Sequence, residues 1–107
     1  MVKCEYALVY LPAARRDLID AVSYVSTVLQ NPAAADRLAV KLIEAIDQAL
    51  SFPYANPLYV SSRPLKREYR KLVVDNYLVF YWVSEPDKIV TVARVIYGRR
   101  NHQALLK

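Results

Sequence analysis

One cysteine, one histidine and one glycine occur among 107 residues, and each scarcity excludes some chemistry. Cys4 has no partner for an intramolecular disulfide, and together with His102 it is too little for a zinc site of the Cys/His type within one chain. The lone Gly98 rules out the glycine-rich loops that cradle phosphates. There is no nucleophile elbow, no His-Glu metal pattern and no closely spaced carboxylate pair in a strand context. No apolar stretch approaches the roughly 20 residues that cross a bilayer, and the amino terminus lacks the basic, apolar, small-residue order of a signal peptide. The expectation is a soluble cytoplasmic protein with no metal, no cofactor and no membrane partner.

What the chain does have is apolar residues and arginine. Hydrophobic residues make up 55 %, enough for one folded domain over residues 1–107 with a modest core. The net charge of +5 is unevenly spread: residues 1–57 hold five Lys/Arg against six Asp/Glu, and residues 58–107 hold ten against four. A basic second half fits nucleic acid or an acidic protein partner, and it also fits an ordinary solvated surface.

The segment Cys4 to Leu11, "CEYALVYL", reads as a first strand ended by Pro12. Pro12 is a favoured first helical residue, and apolar positions then recur at Leu18, Val22, Val25 and Leu29, which predicts one amphipathic helix. Asn31-Pro32 punctuates the chain and opens a second helix to about Phe52, with a stripe of Leu38, Leu42, Ile46 and Ala49. So short a link predicts an antiparallel helical hairpin. A proline-rich loop follows to Lys66. Three strands come next, at about Glu68 to Val74, Tyr77 to Val83 and Ile89 to Tyr97, joined by Asp75-Asn76 and by "SEPDK". "YLVFYWV" is apolar on both alternating faces and reads as a central strand covered on both sides.

Lys66, Arg67, Arg70, Lys71, Arg94, Arg99 and Arg100 all fall on these strands or at their ends. The pairing allows Arg70 and Arg94 to converge on one face, and arginine's planar fork of donors suits phosphate or carboxylate. Arg67, Lys71 and Arg99 also read as solvated charges that guard a sheet edge. Arg94, between Val92 and Ile96 on a covered strand, needs a partner: Glu68 or Glu44 stand against a ligand for that role. Tyr97 can donate a proton, stack on a base or close the core. His102 reads as an exposed side chain near the terminus.

The run "NYLVFYWVSEPDKIVTVARVIYGRRN", preceded by "REYRKLVVDN" and two helices, resembles the RelE/ParE superfamily of toxins from bacterial type II toxin-antitoxin systems. The likeness spans about Tyr6 to Leu105. It implies an α+β fold in the order β-α-α-β-β-β, with the two helices packed on one face of an antiparallel sheet. It implies a toxin that arrests growth, a cognate antitoxin as partner in a hetero-oligomer, and one of two targets. RelE-like members cut mRNA in the ribosomal A site, using cations for the charged transition state plus an acid and a base. ParE-like members inhibit DNA gyrase instead. On a RelE-like reading the resemblance makes Arg70, Arg100 and Tyr97 catalytic, while Lys71, Arg94, Arg99 and His102 become target- or phosphate-binding. Two departures weaken that reading: Leu78 stands where RelE members usually place an arginine, and Leu105 and Leu106 stand where they carry a tyrosine. The ParE-like reading is favoured, and a non-toxic nucleic-acid-binding module is the third alternative.

Overall fold

A computed structural model of the protein describes residues 5–61, 64–98, 105 and 106. The elements are β1 (Ala7–Tyr10), α1 (Pro12–Ser23), a π-helical turn (Tyr24–Val28), α2 (Pro32–Ser51), β2 (Arg70–Val74), β3 (Tyr77–Ser84) and β4 (Ile89–Tyr97). The order β-α-α-β-β-β is the expected one. Prolines occupy the first turn of both helices, where the missing N–H would have had no partner in any case. Asn31 caps α2, its Oδ1 accepting from the Ala34 amide at 3.1 Å.

The sheet runs β1-β4-β3-β2. β2, β3 and β4 form the antiparallel meander read from the sequence, and β1 adds parallel to β4, from Ala7 opposite Ile89 to Tyr10 opposite Val92. β4 carries one extra residue, Ala93, opposite the Phe80–Tyr81 step of β3, a bulge that lets its two halves aim side chains independently. β1 leaves the sheet early: the Leu11 amide donates to Val92 O at 2.9 Å, and the chain turns at once into α1.

One face of the sheet presents Val79, Tyr81, Val90, Val92 and Val95 to the helices, which contribute Ala14, Leu42, Ile46 and Ala49. Leu42 and Ile46 are essentially inaccessible, and each contributes about 1.5–3 kcal/mol by burial. The other face holds Tyr69, Phe80, Ala93, Ile96 and Leu106, with Tyr59, Leu65 and Trp82 packed against them. "YLVFYWV" is thus covered on both sides, as its pattern predicts.

The first helix departs from expectation. Its regular part stops at Ser23, and the π-helical turn closes with the Leu29 amide donating to Tyr24 O at 3.1 Å. The wider turn adds a residue, so Leu29 falls off the apolar stripe and stands 55 % exposed. Gly98 has no positive φ. A Cβ there would lie 3.2 Å from Asn76 O, to which the Gly98 amide donates at 2.7 Å. Close approach to the β2–β3 turn is what the glycine serves.

Candidate functional site

Two depressions flank the sheet, one at each end of β2 and β3. At the first, Arg70 pairs opposite Tyr81 and shares its helix-side face. Its guanidinium donates to Asn56 O at 2.7 Å and stacks over the Tyr54 ring at 4.8 Å. The buried Tyr81 hydroxyl donates to Pro53 O at 2.6 Å and accepts from Asn56 Nδ2 at 3.1 Å. Burial raises the Tyr81 phenol above its ordinary value, and the Asn56 contact and Arg70 oppose it. The loop after α2 is therefore pinned to the sheet by polar bonds to a core tyrosine.

Beside it, Tyr54 and Tyr6 both donate to Glu85 Oε2, the latter at 2.7 Å, while Lys88 Nζ donates to Glu85 Oε1 at 2.7 Å. Lys88 first, then the two phenols, hold Glu85 down at about 2. The hydrogen bond to Glu85 in turn pushes Tyr54 up to about 12. Arg67 stacks on Trp82 at 4.8 Å while staying exposed, as a solvated charge would. Tyr54, Trp82 and Glu85 line a cleft of about 650 Å³ in which Lys66, Arg67 and Arg70 are matched by Glu68, Glu85 and Asp87. The charges there offset one another.

The predicted site residues scatter. Tyr97 lies opposite Tyr77, which pairs with Val74, four residues along β2 from Arg70. At about 3.3 Å per residue that separates them by roughly 13 Å along the strand. Tyr97 meets Tyr77 edge to face at 5.6 Å between centroids. Lys71 and Arg94 both stand opposite Phe80, on the face away from Arg70, so Arg70 and Arg94 do not converge. Arg94 is held by Asp17, not by Glu68 or Glu44: Nε and Nη2 reach the two Asp17 oxygens at 2.7 and 3.0 Å, and Nη1 lies 3.5 Å from Leu105 O. That pairing raises the Arg94 pKa. Arg99, Arg100 and His102 lie outside the described residues.

Sequence reasoning missed Asp17, Tyr54, Tyr81 and Glu85. Asp17 left a readable sign, for it sits three residues after Ala14 and four before Ala21, both fully on the buried side of α1. A carboxylate on an apolar stripe requires a partner.

The second depression, of about 750 Å³, lies between the π-helical turn and the far strand ends. Tyr24, Tyr77 and Tyr97 line it with Asp20, Asp75 and the aliphatic Val25, Leu29 and Leu38. Among the described residues no group of three or more His, Cys, Asp or Glu could hold a metal ion, and no helix is long and apolar enough to cross a membrane.

Comparison with known proteins adds the family. The model of the ParE toxin of type II toxin-antitoxin systems, parDE, matches residues 8–102. A chromosomal ParDE toxin-antitoxin system from P. aeruginosa contains a chain of similar fold, with 16 % identity, 89 % of this chain and 98 % of that one covered, and a TM-score of 0.70. The toxin-antitoxin complex RelBE2 from Mycobacterium tuberculosis contains another, with 22 % identity, 87 % and 98 % covered, and a TM-score of 0.56. No curated protein matches the sequence significantly. Because the family model takes in nearly the whole chain, the protein belongs to the ParE toxin family of type II toxin-antitoxin systems.

Proposed function

We propose that this toxin arrests growth in the cytoplasm by inhibiting DNA gyrase, and that a cognate antitoxin neutralises it by binding. The observation that supports the choice of target is the dispersal of the candidate site residues among the described residues. Cleavage of RNA by its own 2′-hydroxyl requires an acid, a base and a cation within hydrogen-bond reach of one ribose-phosphate. Arg70 and Tyr97 stand roughly 13 Å apart along the strand, Arg70 is committed to Asn56 O, and Arg94 is committed to Asp17. Leu78 packs against the second core, and Leu106 is buried in it, so neither place where the resemblance implies a polar catalytic group offers one. The antitoxin reading is supported by the two solved relatives, both toxin-antitoxin systems. Exposed apolar side chains along the hairpin, among them Ile19, Val28, Val40 and Ile43, suit a partner's apolar face.

The test is expression of the chain, followed by purified-component assays. The expected result is growth arrest, with loss of supercoiling and accumulation of cleaved DNA when gyrase is incubated with the protein. Unchanged supercoiling at saturating protein, together with cleavage of mRNA on programmed ribosomes, would move the assignment to ribosome-dependent cleavage.

A further inference from the structure

The described lining of the depression beside the π-helical turn is acidic and aromatic, in contrast to the chain as a whole. The protein carries +5, yet among the described residues this cleft is lined by three aspartates and by no lysine or arginine. Asp17 and Asp75 are already paired, with Arg94 and Lys41 respectively. Asp20 is exposed and has no ion-pair partner among the described residues. Three phenol rings close on the same space. Tyr77 and Tyr97 form their edge-to-face pair within it. Burial, and after it the neighbouring Tyr97 and Tyr24 phenols, raise the Tyr77 pKa.

The π-helical turn builds this wall. Its extra residue takes Leu29 off the apolar stripe, and Tyr24 and Leu29 stand 52 % and 55 % exposed at the cleft. Val25 and Leu38 supply an apolar side. An aromatic and aliphatic surface left in water favours a covering partner. Aromatic faces together with a carboxylate favour a cation, and a guanidinium best, because it stacks on rings and binds a carboxylate with two donors.

We propose that this cleft receives an arginine flanked by apolar residues, carried on the antitoxin segment that docks on the helical hairpin, with Asp20 pairing the guanidinium and Tyr24, Tyr77 and Tyr97 enclosing its stem. The proposal rests on the antitoxin reading above and adds a chemistry opposite in sign to the acidic partner that the basic second half suggests. A partner that meets both regions must be patterned, basic at this cleft and acidic elsewhere, which gives specificity as well as attraction.

The test uses the full chain and three short amphipathic peptides of one apolar sequence. They carry arginine, its neutral isostere citrulline, or glutamate at the central position. Titration followed by nuclear magnetic resonance should show the arginine peptide shifting the Tyr24, Tyr77 and Tyr97 ring signals. It should bind roughly tenfold or more tightly than the citrulline peptide, the factor a partly desolvated cation–π and ion-pair contact supplies. Asp20→Asn, at an exposed helix position, should close most of that gap. Equal affinity for arginine and citrulline, no binding of any peptide, or a gap that survives in Asp20→Asn each overturns the proposal. The underlying antitoxin reading is judged separately, by whether the product of the adjacent reading frame relieves growth arrest caused by the unaltered chain.

Discussion

Asp17 of α1 holds the guanidinium of Arg94 through both carboxylate oxygens and also accepts the Val95 amide at 2.9 Å, across 77 and 78 positions of sequence. The contact answers a problem set by β1. That strand ends at Tyr10, opposite Val92, while β4 continues to Tyr97 with an edge left open. The helix that follows β1 returns a carboxylate to that edge and satisfies an amide that a longer strand would have taken. The pair keeps side-chain accessibilities of 20 % for Arg94 and 13 % for Asp17, so its loss costs less than the 3–5 kcal/mol typical of full burial. Arg94→Ala should lower unfolding free energy by about 2–3 kcal/mol, measured by urea denaturation. Asp17→Asn should cost less than Asp17→Ala, because the amide oxygen still accepts from Val95. A change within about 0.5 kcal/mol for Arg94→Ala, the range of an ordinary surface substitution, would remove the structural role.

The Tyr81 hydroxyl is the pin of the loop after α2. Tyr81 is 1 % exposed, and its oxygen serves Pro53 O and Asn56 Nδ2. Tyr81→Phe leaves the Pro53 carbonyl without that donor and should cost about 1–3 kcal/mol. The loss should be local as well as global. Amide exchange at Tyr59 and Lys71, which bond to Tyr69 O and Pro57 O across the loop and β2, should accelerate more than exchange in the centre of α2. Uniform acceleration would show that the hydroxyl contributes to the core alone.

Much of this architecture is legible in the residues, and the omissions have physical causes. The stripe of Leu42, Ile46 and Ala49 predicts the buried face of α2, and "YLVFYWV" predicts a strand covered twice. Both follow from periodicity, which is local. The parallel placement of β1 beside β4 is long-range pairing that no short window encodes. The π-helical turn defeats a 3.6-residue template, since Leu29 continues the spacing and then misses the core. Arg94 announces that it needs a partner, but any carboxylate in the chain fits that description. Only the early exit of β1 selects Asp17. The charge pattern pointed to phosphate handling, whereas in the fold Arg67 and Arg70 are taken up by Trp82, Tyr54 and a backbone carbonyl.

The Glu85 cluster predicts two flanks of pH dependence. Glu85 is held at about 2, below the ordinary 4.5 of a glutamate, by Lys88, Tyr54 and Tyr6. A group whose folded pKa is depressed adds stability that is present above the unfolded value and is lost as pH falls through the folded one. Stability from this cluster should therefore fade between about pH 4.5 and 2. Tyr54 is raised from 10.0 to about 12, so its share is intact below pH 10 and is lost as pH climbs through 12. Melting temperature against pH should slope on both sides. Glu85→Gln should flatten the acid slope, and Tyr54→Phe the alkaline one. The groups are solvent-exposed, so added salt should weaken the Lys88 contribution. An acid slope unchanged in Glu85→Gln would mean that other carboxylates govern it.

Leu106 ties the end of the chain to function. It is 4 % exposed and packs with Phe80, Ile96 and Tyr69, in a region where the ribonuclease reading would want a tyrosine available to substrate. Leu106→Ala removes a buried side chain and should cost about 2–5 kcal/mol. If the position only packs, toxicity should fall in proportion to the folded fraction and return when cells are grown cooler. Leu106→Met, which conserves volume, should then be as toxic as the unaltered chain. Loss of growth arrest in Leu106→Met, with its melting temperature preserved, would place the C-terminal residues in contact with the target and reopen the choice between gyrase and ribosome.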